Sequence, residues 1–309
     1  MDNIKVGYAS DAVGTAPVWT ACDAGYFKAL GLDVEPVLIP GSTNVTRAIE
    51  AGEVHFGNFA APAAIQANVT RNADLVVIVG AMNRMMQALS GRPGITRPEQ
   101  LRGGIIGINS RGDVNHWLLA TILPRLGLKE GRDVKVIELG RSHGKEWQTV
   151  KGVDALILHP PQPFDAVKDG WTTLLDMRTL DQPFQLSCIV GKRSWIGANR
   201  ELVARYVRGH VEGLLRFNND RAMAIQVQKK WGSTTDEEVL IQTHEFAAGE
   251  FSPRPYPTEA AIRGILEAMQ GHVPEADPTR AADHIDTSFI AALDKAGELD
   301  RLAARYKTA

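Results

Sequence analysis

Cysteine is nearly missing: Cys22 and Cys188 are the 2 in 309 residues, and no CxxC spacing joins them. That excludes a disulfide framework and a zinc knuckle, and both thiols are expected to be small buried hydrophobes. An excess of charge is missing too, because 34 Lys and Arg face 36 Asp and Glu for a formal net charge of −2. No broad basic field exists to hold nucleic acid or an anionic membrane surface. The longest nearly pure apolar run, Leu75 to Met82, falls far short of the roughly 20 residues that cross a bilayer, so a soluble chain is expected. Among the 8 histidines there is no HxH or HExxH, so no metal is expected. Gly103-Gly104-Ile105-Ile106-Gly107 precedes its strand, where a dinucleotide fingerprint would follow it. No cofactor is expected. The opening Met1-Asp2-Asn3 runs straight into the alternating Ile4 to Tyr8, with no room for a basic stretch followed by an apolar one. The chain is therefore expected to be cytoplasmic, or periplasmic or lipid-anchored if a leader has been removed.

What is present is an ordinary globular composition, 44% hydrophobic, at a length that suits about two domains of roughly 150 residues. Short β-branched runs read as strands at Ile4 to Tyr8, Val34 to Ile39, Val54 to Phe56, Leu75 to Ala81, Ile105 to Ile108, Val134 to Leu139, Ala155 to Leu158 and Leu186 to Val190. Helices are expected between them: Pro17 to Leu30 closed by Gly31, Thr43 to Ala51 capped by Ser42, and Val114 to Leu126 capped by Asp113 or Ser110. Thr96-Arg97-Pro98-Glu99 reads as a capping box. Past Trp195 the strand signal fades into helices at Asn199 to Phe217, Ala222 to Trp231, Glu237 to Ala248, Glu259 to Met269 and Ala281 to Ala296. The pattern predicts an α/β chain with mainly parallel sheets and a helical C-terminal tail. Turn-rich stretches at Asn83 to Gln100 and Asp181 to Lys192 read as two crossings. They place residues 1–88 and 189–309 in a discontinuous lobe 1 and residues 89–188 in an inserted lobe 2.

In such a sheet, ligands gather where strand ends feed helix N-termini. That rule nominates Ser10, Asp11 and Ala12 after the first strand, then Ser42 and Thr43, Asn58, and Asn83 with Arg84. From lobe 2 it nominates Ser110, Arg111 and His159, with Arg141 as a further guanidinium. One of the three arginines is expected to meet an acid group, since a guanidinium suits carboxylate or sulfonate. Trp19, Phe59 or Trp117 could cover an apolar remainder, whereas His55 and His116 read as packing residues.

Val6-Gly7-Tyr8, Ala16-Pro17, Ala21 to Phe27 and Gly31-Leu32-Asp33-Val34 resemble the opening of the nitrate, sulfonate and taurine class of ABC-transporter substrate-binding proteins. The likeness continues through Ala48 to Val54 with Phe56-Gly57, Leu101-Arg102-Gly103, Leu126-Gly127-Leu128 and Gly152-Val153-Asp154-Ala155, and covers Ile4 to Phe217. His55 departs from it, standing where relatives carry an acidic residue. The resemblance implies a two-lobed type II periplasmic-binding-protein fold that closes on a small anion, whether sulfonate, carboxylate or nitrate-like, at the nominated residues. It also implies a membrane permease as partner, a monomer, and no catalytic residue. The same scaffold carries enzymes, so the alternative is a decarboxylase- or lyase-like enzyme with His159 or His55 as acid/base. Aryl desulfinases of this fold need a cysteine in the first loop, which Ser10 to Ala16 lacks.

Overall fold

The computed structural model describes residues 1–140 and 145–306. The expected loop after the strand at 134–139 carries Arg141, Ser142 and His143, which lie outside the described residues. In the first half, β1 (Asp2–Tyr8) leads to α1 (Ala16–Asp23) and α2 (Tyr26–Ala29), then β2 (Leu32–Leu38), α3 (Ser42–Ala51), β3 (Phe56–Phe59), α4 (Pro62–Arg71) and β4 (Leu75–Arg84). A second series follows: β5 (Ala88–Gly91), β6 (Ile105–Ile108), α5 (Val114–Ile122), β7 (Lys135–Glu138), α6 (Glu146–Thr149), β8 (Ala155–Leu158), α7 (Gln162–Lys168) and β9 (Thr172–Asp176). Strand β10 (Pro183–Lys192) then leads into α8 (Arg193–Ala198), α9 (Arg200–Asn219), α10 (Arg221–Trp231), α11 (Glu237–Ala248), α12 (Glu259–Met269), α13 (Ser288–Lys295) and α14 (Glu298–Tyr306).

The strands form two five-stranded sheets, ordered β2-β1-β3-β10-β4 and β7-β6-β8-β5-β9. In the first, β1 pairs in parallel with β2 and β3, while β10 runs antiparallel to β3 and β4. In the second, β6 pairs in parallel with β7 and β8, and β5 runs antiparallel to β8 and β9. Each sheet therefore has one reversed strand, and each reversed strand directly follows a passage of the chain from one sheet to the other. β5 and β9 were not foreseen. β5 is only four residues long and ends in Ser90-Gly91, and β9 is half-buried along most of its length, so neither carries a strong periodic signal.

Several helix limits moved for local reasons. The helix expected over Pro17 to Leu30 breaks after Asp23, where Gly25 takes φ 75°, a left-handed value that glycine tolerates. The one expected to reach Leu126 stops at Ile122; Leu123 keeps helical angles, and Pro124, which has no N–H to donate to the α-helical ladder, opens a 3₁₀ turn over Pro124–Leu126. Ser42 is the first residue of α3 and makes no capping bond; Gly41 holds the preceding position. At the expected capping box the acceptor is one residue later: Gln100 Oε1 takes the N–H groups of Thr96 and Arg97, each at 2.9 Å. The helix read over Ala281 to Ala296 is a 3₁₀ turn, Pro278–His284, followed by α13.

The C-terminal helices are more than a tail. Helix α9 packs on α1 so closely that a Cβ at Gly213 would lie 2.4 Å from the Pro17 carbonyl oxygen, and only glycine admits the approach. Helices α11 and α12 also reach the second sheet's helices. Lys168 pairs with Asp236 at 2.8 Å, Phe164 meets Phe246 edge-on at 5.5 Å, and His272 packs on Trp117 at 5.8 Å between ring centroids. One apolar core runs from the first sheet into α5, and a smaller one gathers Trp147, Leu158 and Trp171. Among the described residues no helix is long and apolar enough to cross a membrane.

Candidate functional site

A cavity lies where the carboxyl ends of β1 and β3 face the end of β8 and the start of α5. The first-sheet side supplies the loop after β1 (Ala9, Ser10, Ala12, Val13, Gly14, Thr15), then Ser42, Asn58 and Phe59. Because β10 is antiparallel, its early residues Leu186 and Ser187 sit beside the end of β3, in register next to the Cys188–Phe59 pair. Met82, Met86 and Gln87 complete that side as the chain crosses toward β5. The second-sheet side supplies Val114, His159 and Pro160.

Polar groups in this wall are tied down by their neighbours. Asn58 is 2% exposed. Its Nδ2 donates to the Cys188 carbonyl at 3.1 Å and to Ser187 Oγ at 3.5 Å. A carbonyl can only accept, so this contact fixes which way the amide points. Its Oδ1 is buried without a partner. Ser187 Oγ donates to the Gly14 carbonyl at 2.7 Å, and Thr15 Oγ1 to the Ser10 carbonyl at 3.3 Å.

His159 is held by a chain of amides. Asn115 Nδ2 donates to the Ile157 carbonyl at 3.2 Å, which leaves Asn115 Oδ1 to accept from His159 Nε2 at 2.6 Å. Gln87 Oε1 accepts from the Met86 N–H at 3.1 Å, so its Nε2 is the donor to His159 Nδ1 at 3.3 Å. The network assigns the Nε2–H tautomer with both ring nitrogens engaged. Burial lowers the pKa of His159 to about 4, so the imidazole is neutral at pH 7.

Of the nominated residues, Ser10, Ala12, Ser42, Asn58 and His159 come together here. The others stand elsewhere. Asp11 borders a separate, much smaller space with Trp19 and Gln228. Thr43, Ser110 and Arg111 line an outer cleft with Asp113 and Arg47. There Asp113 Oδ1 accepts from the Thr43 N–H at 3.0 Å and hydroxyl at 3.1 Å, while Oδ2 accepts from Ser110 Oγ at 2.8 Å. The carboxylate foreseen as a cap of α5 thus bridges α5 to the first turn of α3. A second bridge runs from the Val13 N–H to the Pro160 carbonyl at 3.0 Å.

Of the three arginines, Arg84 and Arg111 do not line the cavity, and Arg141 lies outside the described residues. Arg84 is bound by Glu250 at 2.7 Å and faces Asp181 at 3.6 Å; Arg111 is bound by Glu130 at 2.6 Å. Asn83 is a structural anchor, donating to the Tyr256 carbonyl at 2.9 Å. Among the described residues that line the cavity there is no Lys, Arg, Asp or Glu. Guanidinium groups near a strand end found carboxylates of their own chain first. Trp19 and Trp117 are core residues, and only Phe59 of the three expected aromatics borders the cavity.

His55 lies away from it, its Nδ1 accepting from the Lys5 N–H at 3.0 Å and its ring against Trp195. His116 packs on Trp117 and His272, and burial lowers its pKa to about 4. Cys188 is buried with its pKa raised, and burial pushes the half-buried Cys22 to about 12, so neither is a thiolate at neutral pH. The residues missed were Gln87, Asn115 and Ser187. Gln87 and Ser187 carry a signal after the fact, each a polar residue inside an apolar run next to a crossing.

Two mixed sheets with helices on them, a reversed strand at each crossing and a cavity at the facing strand ends define the two-lobed periplasmic-binding-protein fold. The chain belongs to the NMT1/THI5-like family, whose model matches residues 13–220. No curated protein matches it significantly. Among solved structures it is similar to the alkanesulfonate-binding protein SsuA of Xanthomonas axonopodis pv. citri bound to MOPS, with TM-score 0.76, 16% identity, and coverage of 93% of this chain and 99% of that one. It is also similar to the periplasmic nitrate-binding protein NrtA of Synechocystis PCC 6803, with TM-score 0.73, 14% identity, and coverage of 99% and 89%. A third neighbour is the desulfurization enzyme DSZB, with TM-score 0.69, 14% identity, and coverage of 96% and 100%. At these identities the likeness is one of fold.

Proposed function

We propose that the chain is the solute-binding protein of an ABC-type importer, working on the periplasmic side of a membrane or anchored there. The first sheet, with β10 (Pro183–Lys192) whole within it, and its helices form one lobe and the second sheet with its helices the other, and they close over a small organic solute. The observation that carries this reading is the cavity walled by both sheets. A solute in contact with both walls favours the closed arrangement, because only that arrangement offers both sets of contacts. The closed monomer is then what a membrane permease reads, and the chain needs no catalytic group.

The ligand set narrows to Ser10, Ala12, Ser42 and Asn58 from lobe 1 and His159 from lobe 2. Val13, Phe59, Met82, Met86, Val114 and Leu186 supply an apolar surface, which suits a carbon skeleton and not a nitrate-like ion. Removing such an ion from water without a counter-charge is costly. The N-terminus of α3, which could have offset that cost, already holds the Asp113 carboxylate. Catalysis is the weaker reading. Of the two acid/base candidates, His159 has both ring nitrogens engaged and His55 lies away from the cavity, and the fold decides nothing between the two.

Equilibrating the protein with a small-molecule extract of bacterial cells, followed by native mass spectrometry, tests the proposal. One organic solute should be retained at a 1:1 ratio and released chemically unchanged. Conversion of the solute, or retention of inorganic anions alone, overturns it.

A further inference from the structure

Thr15, Ser187 and His159 spend their side-chain hydrogen bonds inside the protein. Ser42 does not. It is 4% exposed, yet nothing among the described residues bonds its Oγ, and unlike Asn58 Oδ1 that atom is not sealed from water. The opening is toward the cavity: Ser42 lines it, and is absent from the outer cleft that its neighbours Gly41 and Thr43 line. The backbone is pinned on both sides of this residue. The Gly41 N–H donates to the Ala9 carbonyl at 3.0 Å, and the Ser42 carbonyl accepts from Thr46 Oγ1 at 2.8 Å. A hydroxyl held in this way keeps its hydrogen bond for whatever occupies the cavity.

The surroundings decide what that occupant presents. Ser42 is the first residue of the ten-residue helix α3, and the positive end of a helix favours an electron-rich partner. A full anion meets a conflict there, because the Asp113 carboxylate already sits on the Thr43 N–H at 3.0 Å, and among the described residues that line the cavity there is no Lys or Arg. An uncharged acceptor escapes that conflict and costs far less to take out of water. On the reading of this cavity as a solute site, we propose that Ser42 determines its specificity: the hydroxyl donates to an uncharged acceptor, such as a ketone carbonyl, at the polar end of an otherwise apolar solute. Val13, Phe59, Met82 and Met86 receive the remainder. The anionic head expected from the sequence gives way to a neutral one.

Calorimetry with acetophenone, toluene and benzoate tests this, because the three share one ring and differ in acceptor and charge. Acetophenone should bind about fivefold more tightly than toluene and roughly tenfold or more over benzoate. Ser42→Ala breaks no side-chain bond within the protein, so its thermal transition should stay in place while acetophenone loses about fivefold and toluene keeps its affinity to within about twofold. If that variant does not fold, the order of the three affinities in the unaltered protein decides. An unchanged acetophenone affinity in Ser42→Ala overturns the role of Ser42, and benzoate binding as tightly as acetophenone overturns the neutral head. Failure of all three to bind at millimolar concentration overturns the proposal as a whole. The solute reading itself is decided separately, by the extract experiment.

Discussion

The first sheet, β2-β1-β3-β10-β4, and the second, β7-β6-β8-β5-β9, place their strands in corresponding order, yet they contribute unequally to the cavity. The first-sheet side gives a long loop of small residues, Ala9, Ser10, Ala12 and Gly14, that recedes and leaves room. The matching loop after β6 is spent on its own bonds: Ser110 binds Asp113, the Arg111 N–H binds Glu138 at 2.9 Å, and the Arg111 guanidinium binds Glu130. The second side therefore supplies a cover through Val114, His159 and Pro160. Equivalent topology sets where a site can form. The bulk and the prior commitments of the loop residues set which half forms it.

Three substitutions separate a binding wall from a cover. The largest effect is expected for Gly14→Leu on the first side. A Cβ at Gly14 meets Ser187 at an ordinary 3.6 Å, so the backbone tolerates a side chain while its bulk enters the cavity. Solute affinity should fall roughly 100-fold, close to 3 kcal/mol, in a calorimetric titration with little change in melting temperature. Retained affinity would move the binding wall to the other side.

An intermediate effect is expected for Asp113→Ala, which removes the Thr43 bonds that tie α5 to α3. Charge-assisted bonds of this kind are worth about 1–3 kcal/mol. Affinity should drop about tenfold, mainly through faster release in stopped-flow kinetics, and small-angle scattering should show a more open chain. An unchanged release rate would mean that this bridge does not hold the closed state.

The smallest effect is expected for Arg111→Ala. Its guanidinium is about half exposed and already paired with Glu130, and such pairs contribute roughly 0–1 kcal/mol to stability. Affinity should stay within about twofold, measured by the same titration. A large loss would restore the arginine-held anion and erase the asymmetry between the halves.

Much of the architecture was legible because it rests on local pattern. Ile105–Ile108 and Ala155–Leu158 were read to the residue, as were Glu237–Ala248 and Glu259–Met269, since apolar periodicity and flanking turns are properties of a short window. The site was legible to the level of loops. Strand-end topology led to Ser10, Ser42, Asn58 and His159, but it led as readily to Arg84 and Arg111. What separates the two groups is whether a partner from a distant segment is within reach. Glu250 lies 166 positions from Arg84 in the chain, and no window reading finds it.

From composition and periodicity alone follow the class of fold, the two crossings and the absence of a membrane-length apolar run, because each depends on residues close together in the chain. The polarity of the cavity is decided only by tertiary contact. Glu130 and Glu250 pair with arginines that looked available, and burial keeps His159 neutral while Asn115 and Gln87 engage its ring nitrogens. The Cys188 carbonyl fixes which way the Asn58 amide points. A side chain's chemistry is printed in the chain, but the charge and the hydrogen-bonding atom it has left to offer depend on what folds against it.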